Sequence, residues 1–426
     1  MISAPMKTGL LAVSALGLIV AIISPAVAVL AVLTAAAFAG GFSLCLLYNP
    51  KSPDPIASLN DERHSGRIEW EDVPIQTHLV IKIGYGLFSL VEDQKGAPLI
   101  NRVAGIGDQL SRKLGFDVPY IPIKVDLSLE PNSYRIVMGR MVLAENMVWP
   151  GEVLAINHGD ADSMVDGRPC KDPTFGMHAV WIHADSQDHA IGAGYLVVDS
   201  VTVIAAHLKD VVERNAAKLF GIDDATKLLD NLKKSAPQLV ESLLPEALSL
   251  DAITAVCRDL LAEKIPLKDF RRISIAMSVA SSLHSETASK VEVVRQQIAD
   301  LIVQTMVPDS LPLPIMTVDA SIEGLVVRSL KAGEGASYPI DPLLVQNIIE
   351  AVNAGIQALP PEARNVALIT SPVVRRSLSA LLKPRFPDLS VLSYLELPED
   401  KPIEVHAKIG APRSSHRVAV TNGNQI

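Results

Sequence analysis

The chain has 426 residues, which at roughly 150 residues per domain gives room for about three domains and ample length for a buried core. Apolar residues make up 49% and charged residues 20%, and the mean hydropathy of +0.29 is high enough to place part of the chain outside water. A net charge of −9 and only 18 aromatic residues (8 Phe, 3 Trp, 7 Tyr) exclude general nucleic-acid binding, which needs clustered cations and stacking platforms.

The apolar excess is local. Residues 1–50 hold one charged side chain, Lys7, so 37 of the 38 basic residues face all 47 acidic ones in the remainder. From Thr8 to Pro50 an uncharged run of about 43 residues is twice what one helix needs to cross a bilayer. Pro25 breaks it, which predicts two spans near 8–23 and 28–48. Lys7 before them and Lys51 and Arg63 after them put both flanks in the cytoplasm. A secretory signal is the rival reading, with Ala26-Val27-Ala28 as its cleavage triplet; Val29 to Tyr48 would then remain as an anchor and the body would face the periplasm.

Residues 50–77 mix prolines and charges without periodicity and read as a linker or a docking strap. A strand-like run from Val80 to Leu90, an amphipathic stretch from Ile100 to Leu114 stopped by Gly115, and strands at Tyr120 to Val125 and Tyr134 to Met138 predict an α/β unit. Residues 148–192, broken by glycines and prolines, read as an inserted subdomain with a short strand at Ala179 to Ile182. Regular structure resumes with a strand at Tyr195 to Val198 and a long helix from Val201 that ends before Gly221. Residues 224–305 carry helical periodicity punctuated by Pro237, Pro245 and Pro266. Strand Ile315–Val318, helix Pro342–Leu359, strand Val366–Thr370, helix Pro372–Leu382 and strand Ser390–Ser393 then predict a βαβαβ unit, followed by a polar tail from about Pro412.

Chemistry is scarce. There is no phosphate-binding loop and no nucleophile elbow, and Gly105-Ile106-Gly107 and Gly84-Tyr85-Gly86 lack the third glycine of a dinucleotide turn. Cys45, Cys170 and Cys257 are far apart and odd in number, so no disulfide framework is implied and a reducing compartment is the simpler reading. Cys170, His178, His183 and His189 crowd within about twenty residues, yet no CxxC completes a metal set, and solvated or core-edge histidines are the plainer reading. His207 reads as a core or interface histidine, and Asp223-Asp224 and Glu399-Asp400 as helix-start and turn residues. No cofactor, metal or catalytic residue is expected.

Several stretches are familiar as wholes. Trp149-Pro150-Gly151-Glu152-Val153-Leu154-Ala155-Ile156-Asn157, Asp172-Pro173-Thr174-Phe175-Gly176, Ala179-Val180-Trp181-Ile182 and Gly194-Tyr195-Leu196-Val197-Val198-Asp199 are followed by Thr202 to Leu208, Leu228 to Leu232, Leu244-Pro245, Ile265 to Arg271 and Val391 to Leu397. Their order resembles the FlhA/SctV (FHIPEP) family of export-gate proteins from flagellar and type III secretion systems, over about residues 78–410.

The resemblance implies an α+β multidomain protein, with a transmembrane helical hairpin (1–49) and linker (50–77) leading to a four-subdomain cytoplasmic platform. Its parts are an α/β subdomain 1 (78–147 and 193–220), a small α+β insertion as subdomain 2 (148–192), an all-α subdomain 3 (221–305) and an α/β subdomain 4 (306–411), with a flexible tail (412–426). The implied partners are export chaperones and substrates, other export-gate membrane proteins, the export ATPase complex, the inner membrane and further copies in a homo-oligomeric ring. The family's chaperone-binding dimple corresponds to Asp172, Phe175, Val198 and Ala206. Ala206 departs from the threonine usual in the flagellar branch. Family members carry about eight transmembrane helices where this sequence has room for two, so a shortened paralogue acting as regulator or decoy is the alternative expectation.

Overall fold

The computed structural model describes residues 79–92, 96–159, 164–332, 340–360 and 365–410. The expected hairpin, linker and tail lie outside them, and among the described residues no helix is long and apolar enough to cross a membrane.

A first sheet runs in the order β2-β1-β3-β4: β1 (Leu79–Ile83) pairs parallel with β2 (Ile123–Val125) and antiparallel with β3 (Ser133–Met138), which carries β4 (Met141–Met147) on its other side. Helix α1 (Pro98–Leu114) connects β1 to β2 and buries Leu99, Val103, Ile106, Leu110 and Leu114, a three-and-four spacing that makes one apolar stripe. Gly115 ends it in the left-handed region, φ 84°. The strand expected to reach Leu90 stops at Ile83. The backbone of Glu130 and Pro131 approaches Gly84 and Gly86 too closely for a Cβ, and the chain turns there into a 3-10 helix, Tyr85–Leu90.

The second sheet has the order β6-β7-β5-β8 and is antiparallel throughout, from β5 (Glu152–Ile156), β6 (Arg168–Lys171), β7 (His178–His183) and β8 (Leu196–Asp199), with the short α2 (Gln187–Gly192) between β7 and β8. Here the sequence expectation needs correcting. A boundary at residue 193 assigns the strand near 195–198 to the first α/β unit, whereas β8 pairs with the free edge of β5, Val198 opposite Leu154, and completes the inserted sheet. The chain returns to the first unit one element later. Helix α3 (Ser200–Arg214) starts where the Asp199 carboxylate caps the Thr202 amide at 2.7 Å, and it packs against α1. The long helix expected to run on to Leu219 breaks at Asn215, whose side-chain amide donates to the Val211 carbonyl at 2.8 Å; α4 (Ala216–Leu219) follows.

Helices α5 (Ile222–Ser235), α6 (Pro237–Leu243), α7 (Leu250–Ala262), α8 (Phe270–Leu283), α9 (Thr287–Gln297) and α10 (Ala299–Met306) make the helical layer. Its breaks are chemical: Pro237 opens α6, Pro266 follows α7, and Asp224, Ser249 and Asp269 cap α5, α7 and α8. The third sheet, β11-β10-β9-β12, is wholly parallel, from β9 (Leu313–Val318), β10 (Ala367–Thr370), β11 (Ser390–Ser393) and β12 (Ile403–Ile409). Helices α11 (Ala320–Ala332) and α12 (Pro342–Gln357) lie between β9 and β10, and α13 (Pro372–Leu382) between β10 and β11. One sheet face, with Leu313, Ile315, Ala367, Ile369 and Leu392, joins an apolar cluster that extends through the helical layer to the first sheet. The other, with Met316, Leu368 and Val391, forms a second cluster with Val326, Val352 and Leu378 of α11–α13.

Candidate functional site

The loop Asp172 to Met177 joins β6 to β7 and contains two of the four expected site residues. Asp172 is buried, and its carboxylate accepts the amides of Phe175 at 2.6 Å and Thr174 at 3.2 Å. Backbone bonds from Asp172 to Met177 and from Gly176 to Asp172, each 2.9 Å, close the same turn, and Gly176 takes the positive φ of 69° that it requires. The consequence falls on Phe175. Held at the tip of a turn whose polar groups point inward, its ring stays 74% exposed.

Val198 lies on β8, half-buried against the large apolar cluster. Register puts it beside Leu154, which in turn faces Trp181 on β7, with Arg168 next in line on β6. One row of the sheet therefore reads Val198, Leu154, Trp181, Arg168. Because β6 and β8 are opposite edges, three strand spacings of about 4.8 Å separate them. Phe175 and Val198 accordingly flank one sheet instead of touching across a single strand pair. Trp149 leads into β5 and packs edge-on against Trp181, centroids 5.4 Å apart, and the Arg168 guanidinium lies 4.5 Å from a Trp149 ring centroid.

Ala206 lies on α3, half-buried, next to His207. The His207 Nδ1 is 2.7 Å from the Tyr134 hydroxyl on β3, with the rings at 81°. Burial pushes the Tyr134 phenol far up and the His207 imidazole below its ordinary value, and the Asp172 charge acts on both groups. The Asp172 loop and the His207 segment of α3 therefore share one electrostatic neighbourhood. The family resemblance alone brought Asp172 and Phe175 forward as site residues, and sequence reasoning missed Tyr134, Trp149, Arg168 and Trp181 as their setting. The apolar run Ala179 to Ile182 was the available signal for Trp181, whereas the β6 segment carries no pattern that marks Arg168; nothing local pairs Tyr134 with a histidine 73 residues away.

Of the other polar residues, His178 and His183 occupy the ends of β7, His183 exposed beside Asp185, while His189 is on α2. Among the described residues no group of three His, Cys, Asp or Glu side chains is arranged to hold a metal ion. Asp224 bonds the Gly221 amide at the start of α5, and burial raises the Cys257 thiol to about 12.

The model of the FHIPEP family matches residues 5–402. The chain belongs to the FHIPEP family. The flagellar biosynthesis protein FlhA of Salmonella typhimurium is 31% identical over 362 residues, 85% of this chain and 51% of the relative. FlhA of Bacillus subtilis is 29% identical over 348 residues, 82% of this chain and 49% of the relative. The chain thus spans about half the length of the curated relatives it matches. Among solved structures, the Chlamydia pneumoniae CdsV protein in complex with CdsO superimposes with a TM-score of 0.70 at 22% identity, covering 80% of this chain and 99% of that one. The nonameric EscV cytosolic domain from a type III secretion system gives 0.63 at 18%, covering 79% and 98%. At such identities the likeness establishes the fold alone, a mixed α/β architecture shared with these solved domains.

Proposed function

We propose that this FHIPEP-family chain is a non-enzymatic, membrane-anchored component of a bacterial type III protein export apparatus. The observation that carries this reading is the family match over residues 5–402, which takes in both the apolar N-terminal segment and the folded body. The body is a four-part cytoplasmic platform that docks export substrates and their chaperones and works beside other export-gate membrane proteins and the export ATPase complex. The complex of the relative CdsV with CdsO and the nonameric assembly of EscV favour a platform that forms a homo-oligomeric ring and receives further components.

The docking site in this proposal is the surface framed by Asp172, Phe175, Val198 and Ala206. An aromatic ring held in water by a buried carboxylate is the usual form of a binding anchor, since its burial by a partner costs little conformational entropy. Val198 and Ala206 supply half-buried apolar surface, and the absence of a hydroxyl at 206 makes that surface depend on shape more than on hydrogen bonding.

Copurification of the full chain from membranes tests both levels. The wild type is expected to retain export components with a chaperone and its cargo, and capture of none of them rejects the export role. Phe175→Ala is expected to weaken chaperone capture about tenfold or more, equivalent to roughly 1.4 kcal/mol or above, with the urea midpoint of the protein unchanged. Equal capture by the alanine variant rejects the docking site while leaving the export role standing.

A further inference from the structure

The junction between the helical layer and the third sheet has an ionic centre. Glu263 follows the last turn of α7, Glu292 and Arg295 stand on α9, Arg375 is in the first turn of α13, and Glu396 closes the 3-10 turn after β11. The side chains of Arg375, Arg295 and Glu396 are 0%, 3% and 1% exposed. Arg375 donates to Glu292 through Nε at 2.6 Å and again through Nη2, and to Glu263 at 2.6 and 3.2 Å. Arg295 donates to the same Glu263 oxygen at 2.6 Å and to Glu396 at 2.6 Å. The second Glu396 oxygen accepts the Ser393 amide at 2.6 Å. Every charge is held by at least one group from the opposite side of the junction, apart from the Arg295–Glu263 contact between α9 and α7.

The charges do not balance within these five. Three carboxylates meet two guanidiniums, and a further cation acts on Glu263, that of Lys383 at the end of α13, whose Nζ bonds the carbonyl of Ala262, the residue before Glu263. Beside this cluster the sheet face Leu313, Ile315, Ala367, Ile369 and Leu392 enters the large apolar core. The two contacts have different physics. Apolar burial supplies attraction without direction, so a flat sheet face tolerates rotation and sliding over helices. A buried guanidinium gripping two carboxylates fixes angle and distance, while its own desolvation cancels much of its attraction.

We propose that Glu263, Glu292, Arg295, Arg375 and Glu396, balanced by Lys383, form a register lock that sets the angle of the third-sheet unit on the helical layer, the apolar face supplying the attraction. Glu263 is the pivot because it alone touches both arginines. The inference stands independently of the proposed export role.

The test uses the full chain with its native cysteines replaced and spin labels at Leu283 on α8 and Leu343 on α12, both exposed. The unsubstituted junction is expected to give one narrow interlabel distance distribution. Glu263→Gln, which keeps shape but removes the pivot charge, and Arg375→Lys, which keeps charge but removes the fork, are both expected to broaden it. Amide exchange in α13 and at 390–396 should rise at least tenfold in both while β1 and β3 keep their protection. A distribution as narrow as the wild type in both variants overturns the proposal, because the apolar face then fixes the register unaided. An equal rise of exchange in every element also overturns it, because the cluster then holds up the whole fold and not one junction.

Discussion

His207 is where a single side chain links the candidate site to the body of the first unit. It belongs to the helix that carries Ala206, and its Nδ1 meets a phenol on β3 whose own burial keeps it uncharged. With the imidazole neutral and its proton on Nε2, the phenol donates to Nδ1. Burial lowers the imidazole pKa first of all; the charges of Asp210 and Asp172 oppose this and that of Arg214 adds to it. The folded protein therefore binds the proton less readily than the unfolded chain, whose histidine titrates near 6.5. Stability from this group is complete above that value and declines as pH falls below it. The urea midpoint should drop between pH 7.5 and 5.5, and His207→Gln, which can still hydrogen-bond Tyr134 but cannot titrate, should flatten that drop. Identical pH slopes for the two proteins would sink the assignment.

At the scale of elements, the sequence was readable wherever periodicity and punctuation agreed. Helix α13 and strand β11 have the bounds that Pro372 and the run Ser390–Ser393 suggest, and Gly115 stops α1 where its spacing ends. The misses share a cause. Strands β4, β5 and β6 contain Glu, Asn or Pro and acquire their extended form from neighbours across the sheet, which no local pattern records. Strand β8 was legible in the run Tyr195 to Val198, but its partner β5 lies across an intervening hairpin and helix, so its place in the second sheet was not. In the candidate site Asp172 and Phe175 came forward only through the family resemblance, whereas the tryptophan pair and the Tyr134–His207 bond depend on tertiary contact alone. Two glycines on one helix separate local from tertiary demands. A methyl at Gly115 would lie 2.3 Å from the Lys268 nitrogen with φ at 84°, so Gly115→Ala should cost about 2 kcal/mol or more. Nothing lies within 4 Å of a methyl at Gly105 in the same helix, and Gly105→Ala should stabilise by about 0.5–1 kcal/mol. A urea midpoint that Gly115→Ala leaves unchanged or raises, as Gly105→Ala is expected to do, would contradict the close approach at Gly115.

For the molecule as a whole, the decisive fact is that one apolar cluster joins β1 in the first sheet, Trp181 in the second, the helical layer and Leu392 in the third. Separate subdomains in sequence are therefore one thermodynamic body over much of their cores, and cooperative unfolding should follow. Leu392 is 1% exposed, so Leu392→Ala is expected to cost about 2–5 kcal/mol through lost transfer energy and the cavity left behind. Trp149 and Trp181 report from the inserted sheet, and in a Trp70→Phe background they are the remaining tryptophans. If the shared core carries the loss across the molecule, Leu392→Ala lowers the urea midpoint seen by tryptophan fluorescence as far as the midpoint seen by far-ultraviolet circular dichroism. A fluorescence midpoint that stays in place while the dichroism midpoint falls would mean that the third sheet unfolds alone. The contiguous core predicts the first result, because among the described residues the sheet face containing Leu392 has no apolar cover other than the layer it shares with the rest.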